Sequence, residues 1–148
     1  MEKDVLIRVS GLQMMDNEGR PEPVEIVVPG EYYFKNGSHY LRYSEILDES
    51  GTPTTNFVKM SESGMEVRKK GLVNVHMVFQ EGKRNMAFYT TPMGTMQLGI
   101  SATGLEFVRD DSTMEMHVDY SLDLNDQHVA DCMIDIEVQD KSAGTFSL

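Results

Sequence analysis

Met114-Glu-Met-His-Val-Asp-Tyr-Ser-Leu-Asp-Leu124 is apolar at every even position and polar or charged at every odd one. A helix would scatter those apolar side chains around its circumference, whereas a strand puts them on one face. The stretch therefore reads as an antiparallel strand with one face in a core and the other in water. It points to a fold and to no reaction.

Working outward, similar runs recur with turn signals between them. Ala130, Cys132, Ile134, Ile136 and Val138 alternate after it. Before it, Leu105 and Phe107 lead into an Asp110-Asp111 turn, and Met96, Leu98 and Ile100 follow Thr91-Pro92-Met93-Gly94. That tetrapeptide has Pro and Gly where a type I turn favours them. Asn36-Gly37 favours a type I′ hairpin, which sets Tyr33 opposite Tyr40, Tyr32 opposite Leu41 and Glu31 opposite Arg42. Tyr40–Glu49 reads as strand rather than helix. A tight turn at Glu81-Gly82 would set Val75 opposite Phe88 and Met77 opposite Met86, with His76 meeting Ala87 and Asn74 meeting Tyr89.

The N-terminal part is less regular. Val5, Ile7 and Val9 alternate, Asp16–Pro23 reads as a polar loop, and Val24–Val28 as a strand stopped or bent at Pro29-Gly30. Glu49–Pro53 reads as a second loop, and Phe57–Met60 with Met65–Arg68 as a short hairpin. About ten strands in sequence make an antiparallel meander. Closing it removes exposed edges, so an all-β, up-and-down barrel of about 8–10 strands is expected.

Charge decides the register of the last hairpin. A five-residue loop would oppose Asp123 to Asp131 and Asp119 to Asp135. A three-residue loop, Asn125-Asp126-Gln127, pairs His117 with Asp135 and Ser121 with Asp131, and opposes only Glu115 to Glu137. Directly opposed like charges are destabilising, so the shorter loop is expected.

The chain has 148 residues, a single-domain length, and a formal net charge of −11. That balance disfavours nucleic acid and anionic membranes as partners, because phosphate binding depends on Lys and Arg. Arg68-Lys69-Lys70 is the one tight basic cluster and reads as a solvated strand end. The single cysteine argues against a disulfide framework, and the start of the sequence lacks signal-peptide character, so a cytoplasmic protein is expected.

No catalytic or cofactor motif emerges. Phosphate-binding glycine loops are absent, and Asp123-Leu124-Asn125-Asp126 fails as a calcium loop because His128 and Ile134 stand where Gly and Glu are needed. His39, His76, His117 and His128 lack metal-ligand spacing, and His76 and His117 fall on polar faces. Cys132 shares the parity of Ile134 and reads as a buried small hydrophobe. No metal, cofactor or enzymatic activity is expected.

Thr91-Pro92-Met93-Gly94, Thr103, Met116-His117-Val118-Asp119-Tyr120-Ser121-Leu122 and Val67-Arg68-Lys69-Lys70-Gly71 together resemble the YwiB-like family of small bacterial proteins of unknown function. The resemblance covers essentially the whole length. It implies architecture: a calycin- or lipocalin-like barrel with an apolar interior. It carries over no catalytic residue, and the Gly-x-Trp motif of secreted lipocalins is missing because the chain has no Trp. A haem site of the kind found in some such barrels would need an inward histidine.

The expected lining of the interior is Val75, Met77, Phe88, Met96, Leu98, Phe107, Met116, Val118 and Tyr120, with Tyr120 as a polar handle. Twelve methionines fit two interiors: a deformable cavity for a small apolar or amphipathic ligand, or gap-filling in a packed core. A scaffold or homodimeric module, sticky at the aromatic hairpin Tyr32–Tyr43, is the other reading.

Overall fold

The computed structural model describes residues 1–15, 21–46 and 49–143. Ten strands follow in order: β1 Asp4–Met15, β2 Pro21–Lys35, β3 Ser38–Ile46, β4 Pro53–Ser61, β5 Gly64–Gly71, β6 Val75–Phe79, β7 Arg84–Thr91, β8 Gly94–Arg109, β9 Thr113–Leu124 and β10 Gln127–Asp140. A short 3-10 turn, Lys141–Ala143, follows β10.

All ten strands form one antiparallel sheet in the order β6-β5-β4-β3-β2-β1-β10-β9-β8-β7. The first and last strands are full partners, from Val5↔Asp140 to Gly11↔Ile134. The seam of the barrel therefore falls in mid-chain, between β6 and β7. Across it a single bridge, from Asn74 just before β6 to Thr90 of β7, has both backbone hydrogen bonds at 2.9 Å. The result is a nearly closed up-and-down barrel.

Met114–Leu124 behaves as its alternation requires. Met114, Met116, Val118, Tyr120 and Leu122 are buried, while Glu115 and Asp119 face solvent. Val5, Ile7, Leu41, Val58, Met60, Met65, Phe79 and Ile136 join them in one continuous core. The Asn36-Gly37 hairpin has the expected register, and Asn36 takes the positive φ (53°) that the turn demands.

The last hairpin also takes the expected register, with His117↔Asp135, Ser121↔Asp131 and Glu115↔Glu137. Its loop differs. Asn125 and Asp126, both at positive φ, make a two-residue turn, and a bulge between His128 and Ala130 restores the register. The opposed glutamates are relieved from the next strand, where Arg8 pairs with Glu137.

Three expectations are overturned. First, β2 starts at Pro21 and runs through Pro29-Gly30 without interruption; Asp16–Arg20, the rest of the expected loop, lies outside the described residues. Gly30 belongs inside the strand because a Cβ there would stand 2.8 Å from the Arg42 carbonyl oxygen. Residues 47 and 48 also lie outside the description, so the second loop is seen from Glu49 to the start of β4 at Pro53.

Second, the β6–β7 register is one residue away from expectation. The turn itself closes as expected, with Lys83 N donating to Gln80 O at 3.0 Å. Beyond it the strands splay, and Asn74 meets Thr90 rather than Tyr89. The face of β7 is set instead by its full ladder with β8, in which Ala87 pairs with inward Leu98 and Tyr89 with Met96. A one-residue slip exchanges faces. Ala87 and Tyr89 are thus buried, while Met86 is exposed and Phe88 is 64% exposed.

Third, Lys69 is no solvated strand end. It is 6% exposed and points inward with Val67 and Met65.

Candidate functional site

Eight of the nine expected interior residues do face inward. Val75, Leu98, Met116, Val118 and Tyr120 are buried, and Met77, Met96 and Phe107 are half-buried against the core. Phe88 is the exception. The Tyr120 hydroxyl is engaged by Cys132, its cross-strand neighbour, and burial pushes its pKa above the ordinary phenol value. Tyr120 also meets Phe79 edge-on, with ring centroids 5.1 Å apart. Those eight belong to one continuous hydrophobic cluster or pack against it.

Concave space appears at one end, where the turns after β2, β4 and β8 gather. An open hollow of about 510 Å³ is lined by Met1, Lys3, Tyr32, Tyr33, Phe34, His39 and Arg109. A second, of about 340 Å³, shares Met1, Tyr32, His39 and Arg109 and adds Asp110, Asp111 and Met114. A third, of about 270 Å³, sits beside the β4–β5 turn and includes Ser38, Met65 and Phe79. None of the nine expected residues lines any of these three hollows.

His39 is the centre of the first two. It follows the inward parity of Leu41 and Tyr43 and is only 6% exposed. Its Nδ1 shares a 2.8 Å hydrogen bond with the Tyr32 hydroxyl. Aromatic rings surround it: Phe34 at 4.8 Å, Phe107 at 5.4 Å and Tyr32 at 5.9 Å between centroids. Burial first, and the nearby Arg109 cation second, hold its pKa below the ordinary imidazole value. Burial raises that of Tyr32, partly offset by Arg109. The pair is a neutral hydrogen-bonding couple at neutral pH, set in an aromatic cage beside a fixed positive charge.

Arg109 ends β8 on the inward parity of Leu105 and Phe107, facing Met114 across the ladder. Among the described residues it meets no carboxylate. Three other arginines do: Arg8 pairs with Glu137, Arg42 with Glu31, and Arg84 with Asp123 and Asp126, whereas exposed Arg68 has only His76 at 3.5 Å. Asp110, its chain neighbour, is turned away; its Oδ1 accepts hydrogen bonds from Ser112 N and Thr113 N, both at 2.9 Å.

The opposite half of the interior holds a buried polar network. Lys69 Nζ lies 2.7 Å from both Glu45 Oε1 and Asn56 Oδ1, and Asn56 Nδ2 donates to the same Glu45 oxygen at 2.9 Å. The Thr54 hydroxyl beside it is fully buried and makes no hydrogen bond among the described residues. On the outer wall, His117 stands between Asp135 at 2.6 Å and Asp119 at 3.0 Å. The sequence reading missed His39, Arg109 and Lys69. The available signal was parity, since Leu41, Phe107 and Val67 lie two residues away from them on inward faces. No cluster of three or more metal-ligating side chains occurs among the described residues.

Fold and site together define a ten-stranded antiparallel barrel with an apolar core and an aromatic mouth that holds Arg109. The chain belongs to the family of the domain of unknown function DUF1934, whose model matches residues 7–136. It is similar to the uncharacterized beta-barrel protein YwiB of Bacillus subtilis (strain 168), at 25% identity over 127 residues, 86% of this chain and 88% of that one. The crystal structure of the ywiB protein from Bacillus subtilis superposes with a TM-score of 0.75 at 23% identity, covering 93% of this chain and 92% of that one. The likeness establishes the barrel, and the family resemblance read from the sequence holds.

Proposed function

We propose that this protein is a non-enzymatic, calycin-like binding barrel that takes a small apolar or amphipathic ligand at the Tyr32–His39–Arg109 mouth. The observation that carries this reading is the pair of adjoining hollows around His39, walled by aromatic rings and holding the Arg109 cation, which pairs with no carboxylate among the described residues. Ligand sites favour such settings, largely apolar with a few placed polar groups, and barrel mouths are among their usual positions. The core behind the mouth supplies a rigid floor. Native mass spectrometry of freshly purified protein and titration with a hydrophobic dye test the proposal. Phe34→Ala, a change at an exposed ring, weakens dye binding several-fold, while Phe88→Ala does not. Equal effects from the two substitutions, or no binding at all, would count against it.

A second reading rests on the outer face of the same hairpin. Tyr33 stacks on Tyr40 with centroids 4.8 Å apart and planes 5° from parallel, yet Tyr33 remains 53% exposed. Exposed aromatic surface of this kind is common at protein interfaces, and a second copy of the chain is the simplest partner. Sedimentation velocity of the protein and of Tyr33→Ser distinguishes a dimer held there from a monomer.

A further inference from the structure

The protein carries 24 acidic and 13 basic residues. Against that background, the charged side chains that line the larger hollow among the described residues are Lys3 and Arg109. Lys3 leans to Glu31 at 3.8 Å, which leaves the Arg109 guanidinium as the side-chain cation there that meets no carboxylate among the described residues. An arginine in so acidic a chain has many carboxylates to choose from, and ion pairs engage Arg8, Arg42 and Arg84. Asp110 could have neutralised Arg109 and is occupied instead in capping the β8–β9 turn. Asp111 enters only the lining of the smaller hollow.

The apolar half of the hollow is equally specific. Tyr32 and Phe34 line it with their rings within 6 Å of the His39 ring, and Phe107, outside the lining, packs against that same ring at 5.4 Å, so the wall presents flat faces and edges rather than a greasy tube. The His39 Nε2 makes no hydrogen bond among the described residues, which leaves one polar contact point within the cage.

We propose that the ligand of this mouth is a small organic anion with a flat apolar body, an aryl carboxylate in the simplest case. Its head group pairs with the Arg109 fork, and its ring rests against Phe34, Tyr32 and His39. A planar guanidinium matches a carboxylate with two parallel hydrogen bonds, which an ammonium cannot reproduce. The inference rests on the mouth being the ligand site, as proposed above, and it adds charge as the selecting feature.

Two probes with the same aromatic body separate these claims. 1-Anilinonaphthalene-8-sulfonate carries an anionic head, and N-phenyl-1-naphthylamine lacks it. Each is titrated by fluorescence into the full-length protein and into Arg109→Gln. The substitution is at an exposed side chain, and circular dichroism confirms that the variant folds. The anionic probe binds the protein about tenfold or more tightly than the neutral one, the scale of one charge-assisted hydrogen bond. In Arg109→Gln that preference disappears, and in the unchanged protein it shrinks as salt is raised. Equal binding of the two probes would overturn the anion inference and leave the mouth reading standing. A preference that survives Arg109→Gln would overturn it as well, by placing the anion elsewhere. Binding of neither probe would overturn both.

Discussion

Lys69 and Glu45 meet at 2.7 Å inside the barrel, on strands separated by β4, with Asn56 of that strand hydrogen-bonded to both. An ion pair taken out of water holds only when both charges are present and their remaining hydrogen bonds are met. Lys69→Met leaves the Glu45 carboxylate buried without its counter-charge and costs about 3–5 kcal/mol in urea unfolding. Adding Glu45→Leu removes the stranded charge and recovers most of that loss. A single substitution costing under about 1 kcal/mol, the scale of an exposed pair, would contradict the buried network.

The outer wall is pH-sensitive through His117. Its hydrogen bond to Asp135 chiefly, and that to Asp119 in addition, raise its pKa above the ordinary 6.5. A histidine whose folded pKa is raised adds stability in full below the unfolded value, and that contribution is lost as pH rises through the folded value. The protein therefore loses more stability than His117→Gln does between about pH 5.5 and about pH 8.5, a window spanning the imidazole titration. Denaturant midpoints at the two pH values measure this, and parallel losses in the two proteins would contradict it.

His39 titrates in the opposite sense. Burial and Arg109 both lower its pKa. Removing the cation in Arg109→Gln raises the midpoint, read from the His39 ring resonances, without bringing it to the ordinary value, because the burial remains. An unchanged midpoint would mean that Arg109 is not electrostatically close.

The register of β7 is checked by two neighbouring residues. Phe88→Ala changes stability by no more than about 0.5 kcal/mol, as expected of an exposed position away from any special feature. Tyr89→Ala, on the buried face, costs roughly 3 kcal/mol. The reverse order of effects would restore the register expected from the Glu81-Gly82 turn.

That register shows where sequence reading succeeds and where it stops. Alternation and turn chemistry located the strands, and cross-strand charge placed His117 against Asp135, because each of those choices depends on residues close together in the chain or on one ladder. The face of β7 depends on β8, whose eight pairs outweigh the single bridge to Asn74 just before β6. Reading β6 and β7 as an ordinary hairpin assigned the decision to the weaker partner. The interior network was hidden for another reason. Lys69 stands between Arg68 and Lys70, so composition marked it as surface, while its parity with Val67 marked it as core. Parity prevailed because Glu45 and Asn56, far away in sequence, supply what a buried ammonium needs. His39 and Arg109 come together only when the ends of β3 and β8 are gathered at one mouth, and no local motif announces that meeting.

Ligand binding at that mouth is the account's central claim, and amide chemical-shift mapping tests it most directly. With 1-anilinonaphthalene-8-sulfonate added to isotope-labelled protein, the perturbed resonances are those of Lys3, Tyr32–Phe34, His39 and Phe107–Arg109, with the far end of the barrel around Glu45 and Lys69 unmoved. Perturbations centred instead on Phe88 and the β6–β7 seam, or spread evenly over the surface, would contradict it.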